Sequence, residues 1–217
     1  MRKAVSFVWA FLVGFALLLP VSAAAQAVPK EMPAIVVPAD ASGRVTLAAR
    51  EVYRNLYQCT GGTAEIVEEL PEAGDAIVLE QSATDLGAGE FCLRTESVEG
   101  RRILHIIGGD DLGVLYGAYR FAEVLGVRFY LHGDVIPDPP LQTRSDGPRT
   151  LRDWRLPLFD ETQRPLFALR GIQPFHDFTE GPDWWNRDDY LAVIGQLAKL
   201  RMNFIGLHCY PESGIGP

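Results

Sequence analysis

A glycine-bounded segment between Ile103 and Leu131 constrains this chain more than any other feature. Ile103 to Ile107 is an apolar run of strand character. Gly108-Gly109 ends it, and Asp110 or Asp111 stands where a helix N-cap belongs. Val114, Leu115, Ala118, Phe121, Ala122 and Leu125 then recur at helical spacing and give one apolar face. Gly126 closes the helix, and Val127 to Leu131 reads as a further strand. A helix with one apolar face, tied by short turns to strands, must lie on a sheet, so the segment is α/β.

The same alternation runs upstream. Ala34 to Val37 is a short strand ended by Pro38, and Val45, Ala48, Ala49, Val52 and Leu56 mark a helix closed by Gly61-Gly62. Ala64 to Leu70, Ala76 to Glu80 and Phe91 to Thr95 read as short strands between Gly and Pro turns. Residues 28–136 are therefore expected to form a small α/β domain, a mixed sheet with two helices. Residues 137–165 carry Asp138-Pro139-Pro140, Asp146-Gly147-Pro148 and Pro157, which is linker composition with Trp154 as a packing anchor.

A second block spans 166–217. Phe167 to Ile172 reads as a strand, Asn186 caps a helix with Asp189 three residues on, and Asn203 to His208 reads as the next strand. Leu191, Ile194, Leu197 and Ala198 supply the buried stripe of that helix. A lone βαβ unit cannot bury its own sheet, so the block either extends the first domain's sheet or, as favoured here, starts a longer, truncated domain.

At the other end, Arg2 and Lys3 precede the apolar run Val5 to Leu19, then Pro20 and Ala23-Ala24-Ala25. This is the layout of a cleavable signal peptide over 1–25, cut near Ala25-Gln26, and the run is short of the roughly 20 residues of a membrane span. The expected location is periplasmic or extracellular. Cys59 and Cys92 could pair in such a compartment, with Cys209 left over. Three cysteines at these spacings offer neither a metal site nor a disulfide framework. The net charge of −8 speaks against nucleic acid as a partner.

Two motifs bear on chemistry. Gly108-Gly109-Asp110-Asp111-Leu112-Gly113 sits where a dinucleotide site would, but its spacing is wrong and its carboxylates occupy the phosphate position, so a tight turn with a helix cap explains it. The segment Arg170 to Phe178, followed by Trp184-Trp185-Asn186, brings Arg170, His176 and Asp177 to a strand end ahead of paired tryptophans. Charged groups there suit sugar hydroxyls and indoles suit sugar rings, since ligands meet parallel sheets at C-terminal strand ends. Trp184 and Trp185 could equally pack beneath the loop. His208, Tyr210 and Glu212 leave the second strand at the same face, whereas His105 and His132 read as structural. Arg170, His176, Asp177, Trp184, Trp185, His208 and Glu212 are thus the candidate binding residues, with no cofactor and no metal.

The run Asp111-Leu112-Gly113-Val114-Leu115-Tyr116-Gly117-Ala118-Tyr119-Arg120 through Phe129-Tyr130 resembles the small N-terminal domain of bacterial β-hexosaminidases and α-glucuronidases. Such domains precede a (β/α)8 catalytic barrel. The later stretch is similar to the start of that barrel, with an Arg-Gly pair on the first strand and Lys199-Leu200-Arg201-Met202-Asn203-Phe204 leading to a His-bearing second strand. The resemblance implies that Arg170 binds sugar hydroxyls and that the catalytic acid pair lies beyond Pro217, near the fourth strand. His176-Asp177 and Trp184-Trp185-Asn186 depart from the hexosaminidase pattern, so N-acetylhexosamine specificity does not carry over. The expected function is that of the N-terminal part of an exported glycoside hydrolase acting on poly- or oligosaccharides, inactive by itself. The rivals are a non-catalytic carbohydrate-binding or surface protein on the same domain, and a barrel hydrolase of different chemistry.

Overall fold

The computed structural model describes residues 32–82, 84–137, 154–175 and 181–207. The first strand, β1 (Ala34–Val36), leads into helix α1 (Gly43–Thr60). Ser42 caps α1 by accepting a hydrogen bond from the Val45 amide, and Gly61 ends it. Strands β2 (Ile66–Val67), β3 (Ala76–Gln81), β4 (Phe91–Val98) and β5 (Arg101–Gly108) follow, then helix α2 (Asp111–Val124). Of the two candidate caps, Asp110 is the one used, and it accepts from the Gly113 amide at 2.7 Å.

With a later strand, β8 (Asp160–Gln163), these build a six-stranded sheet in the order β2-β1-β3-β5-β4-β8. β2, β1, β3 and β5 are parallel, while β4 runs antiparallel to both β5 and β8. Strand alternation sends Ile35, Ile77, Leu79, Leu104 and Ile106 into the core they share with both helices. Val36, Ala76 and Ile103, one residue out of phase, form a small cluster on the other face. Helix α2 is buried on several sides, because it touches α1, the sheet and the later helix α3 (Arg187–Lys199).

The strand expected over Val127 to Leu131 is present. Its ordered part, β6 (Arg128–Tyr130), pairs only with β7 (Gly133–Val135) in a separate hairpin. The stretch expected to be linker ends as part of the first unit: Leu156 and Phe159 are buried in its core, Trp154 packs against it, and β8 is its edge strand. Thr95 organises this return, donating from its hydroxyl to the Pro157 carbonyl and accepting from the Phe159 amide, both at 3.0 Å. Arg120 then fixes β8 to α2 through Glu161, at 2.7 and 3.2 Å.

The second unit is a parallel pair, β9 (Gly171–Ile172) and β10 (Phe204–Ile205), joined through a short 3-10 turn (Pro182–Trp184) and α3. The expected capping box is present: Asn186 accepts from the Asp189 amide, and Asp189 accepts from the Asn186 amide at 2.9 Å. The strand expected over Phe167 to Ile172 shortens to β9, and Phe167 is 70% exposed. Any Cβ at position 171 would run into the Phe204 carbonyl, so only glycine lets the two strands approach. The expected buried stripe of α3 holds at Leu197 and fails at Leu191 and Ile194, which lie 53% and 49% exposed. Against the first unit α3 meets α2 and β6.

Candidate functional site

In a parallel pair the two ends have different chemistry, and here they are occupied by different kinds of residue. At the N-terminal end, Arg170 and Asn203 immediately precede β9 and β10 and lock them together. The Asn203 side chain accepts from the Arg170 amide at 2.9 Å and donates to the Ala168 carbonyl at 2.8 Å. Arg170 therefore enters its strand rather than leaving it, contrary to the placement expected from the sequence. Its guanidinium donates to the carbonyls of Arg201 at 2.9 Å and Phe167 at 2.6 Å, and it stands 5.8 Å from the ring centre of Tyr116. Burial pushes the Tyr116 phenol up, and the nearby Arg170 charge opposes it. These groups line a cleft of about 330 Å³ between the two units, with Phe91, Gln163 and Met202.

The C-terminal ends are open. β9 leads into Gln173, Pro174 and Phe175, and β10 into Gly206 and Leu207; Phe175 is 60% and Leu207 55% exposed. His176, Asp177, His208 and Glu212 come next in the chain but lie outside the described residues, as does the signal segment 1–25. The two tryptophans part company. Trp184 is 67% exposed at the end of the 3-10 turn, while Trp185 is half-buried and meets Tyr190 edge-on at 5.2 Å. Trp185 also lines a groove of about 450 Å³ along α3 with His132, Leu191 and Lys199. Of the candidate binding residues the structure describes three, Arg170 in the cleft between the units and Trp184 and Trp185 ahead of α3.

Sequence reasoning missed the residues that join the two units. Lys199 donates to both oxygens of Asp134 at 2.9 and 2.7 Å, and Asp134 also accepts from Arg54 at 2.9 Å. Burial works to raise the Asp134 carboxyl, but hydrogen bonds from Lys199, Arg54 and Gln196 outweigh it and hold the group below its usual value. Arg201 donates to Glu123 at 2.6 Å, and the Tyr116 hydroxyl donates to the Met202 carbonyl at 3.3 Å. The only signal for these was a basic turn closing a helix, a pattern common on solvated surfaces. Among the described residues no group of three His, Cys, Asp or Glu is placed to hold a metal, and no helix is long and apolar enough to cross a membrane.

Residues 19–121 match the family model for the glycosyl hydrolase family 67 N-terminus. The first unit is thus a glycoside-hydrolase-related N-terminal domain. Among solved structures, the chain is similar to a family GH115 4-O-methyl-α-glucuronidase, BtGH115A, with specificity for decorated arabinogalactans: 18% identity, TM-score 0.56, covering 81% of this chain and 25% of that one. It is also similar to a Flavobacterium johnsoniae chitobiase (17% identity, TM-score 0.49, 83% of this chain and 24% of that one). A Streptomyces plicatus N-acetyl-β-hexosaminidase compares in the same way (17% identity, TM-score 0.46, 83% and 32%). At 18% identity the first likeness speaks to the fold alone, and the other two superpositions are too loose to add to it. The chain spans a quarter of the length of that glucuronidase. No curated protein matches it.

Proposed function

We propose that this chain is the N-terminal part of an exported glycoside hydrolase that acts on poly- or oligosaccharides, its second unit being the first βαβ of a (β/α)8 barrel. The observation that carries the reading is the polarity of the strand pair. The N-terminal end is filled by contacts within the chain, and His176, Asp177, His208 and Glu212 follow the C-terminal ends in sequence. Ligands of parallel α/β folds meet C-terminal strand ends, so those four residues flank the substrate in this reading. Exposed Trp184 offers an indole face to a sugar ring near the same end. Hydrolysis calls for two flanking carboxylates, which this reading places on later strands, beyond residue 217.

The test is to assay the product of the gene extended past codon 217, beside the 217-residue chain, for release of reducing ends from plant and bacterial polysaccharides. Hydrolysis by the longer product and none by the chain is the expected result. Carbohydrate binding by the longer product with no hydrolysis would instead establish a non-catalytic binding protein on the same domain.

A further inference from the structure

We propose that the first unit carries an acidic, aromatic-floored socket for the basic turn at the end of α3, and that this socket is what seats the second unit. Three cations cross between the units, and each stands over an aromatic ring of the first: Lys199 over Phe129 at 5.8 Å, Arg201 over Phe91 at 5.7 Å, Arg170 over Tyr116 at 5.8 Å. Two of the three also meet a carboxylate from the socket wall, Asp134 for Lys199 and Glu123 for Arg201. Beside them, Ala198 and Leu200 pack against the core and the Tyr116 hydroxyl donates to the Met202 carbonyl, but no strand pairing joins the units. Neither β9 nor β10 pairs with a strand of the main sheet, and Leu197 is the one fully buried apolar side chain of α3.

The backbone carries an independent sign. Arg201 follows the helix cap Leu200 with φ 59°, the left-handed position that glycine usually fills at a helix end. A non-glycine residue pays strain there, and the strain is understandable when its side chain is needed. From that position the Arg201 guanidinium reaches both Glu123 and the Phe91 ring. Because the plug comprises Arg170 and the residues just before β10, the socket grips the N-terminal end of the strand pair.

Amide hydrogen exchange on the whole 217-residue chain tests this without any activity assay, so the glycosidase reading can fail while the socket stands. Arg201→Gly removes the strain along with the side chain. The proposal expects it to raise exchange over 187–205 by about tenfold or more, with 43–60 and 91–108 within about twofold of wild type. Glu123→Gln, made in the other unit, should loosen the same 187–205 segment. The two changes combined should do no more than Arg201→Gly alone. Unchanged or greater protection of 187–205 in Arg201→Gly would overturn the proposal. So would a Glu123→Gln chain that loosens 111–124 and leaves 187–205 protected.

Discussion

The thiol of Cys59 faces the core from α1, 2% exposed, and burial pushes its pKa up to about 11. A thiol held so far from its thiolate is a poor nucleophile. Cys92 is also buried and free, so the pairing that an exported chain could have formed is absent. Both residues should stay unmodified by a maleimide in the native chain and react fully after unfolding, as read by peptide mass. A recovered Cys59–Cys92 disulfide peptide would contradict the packing described. Asp134 is a carboxylate whose ionisation bears on the structure, since it accepts from both Lys199 and Arg54. Its folded pKa lies below the usual 3.8, so it contributes stability above that pH and the contribution is lost as pH falls through the lower, folded value. Asp134→Asn should cost about 1–3 kcal/mol at pH 7 and pH 5, because Lys199 loses its partner while only 14% exposed. By pH 3 the deficit should shrink, since below 3.8 the unfolded chain takes up a proton on this carboxyl that the folded one resists. Urea unfolding at the three values measures it, and a deficit that does not change with pH would exclude this role.

At the scale of elements, the sheet is finished by a strand that the sequence hid. β8 reads Asp160-Glu161-Thr162-Gln163, polar on both faces, as suits an edge strand that pairs on one side and meets water on the other. No apolar alternation announces it, and the prolines before it read as linker. A chain ending at residue 136 should therefore be less stable than one ending at 165, which keeps β8, Leu156 and Phe159. Burial of those two side chains contributes about 1.5–3 kcal/mol each. Equal melting temperatures for the two would show that the return strand is dispensable. Elements with strong local signals were legible: the apolar face of α2, the Asp110 cap, and the Asn186–Asp189 box. Elements defined by partners were not. The pairing of β6 with β7 had no local sign, and Leu191 and Ile194 stayed exposed, because sequence periodicity marks an apolar face without saying what covers it.

At the scale of the molecule, a helix-backed mixed sheet supports a parallel pair whose two ends divide anchoring from access. Arg170 tests that division, since its sequence position in an Arg-Gly pair suggested sugar binding and its observed contacts are with main-chain carbonyls and Tyr116. The candidate site itself was legible only as residue types near a strand end. Which end each residue occupies depends on the register Phe204↔Gly171, which no local pattern encodes. The most direct measurement compares Arg170→Met with Asp177→Asn in the gene product extended past residue 217, following kcat/KM and Tm for each. Arg170→Met should lower Tm by several degrees and leave kcat/KM of the folded protein within about threefold. Asp177→Asn should keep Tm and lose at least about tenfold in kcat/KM, the scale of one charge-assisted hydrogen bond to substrate. The reverse pattern, with Arg170 controlling kcat/KM and Asp177 silent, would contradict that division.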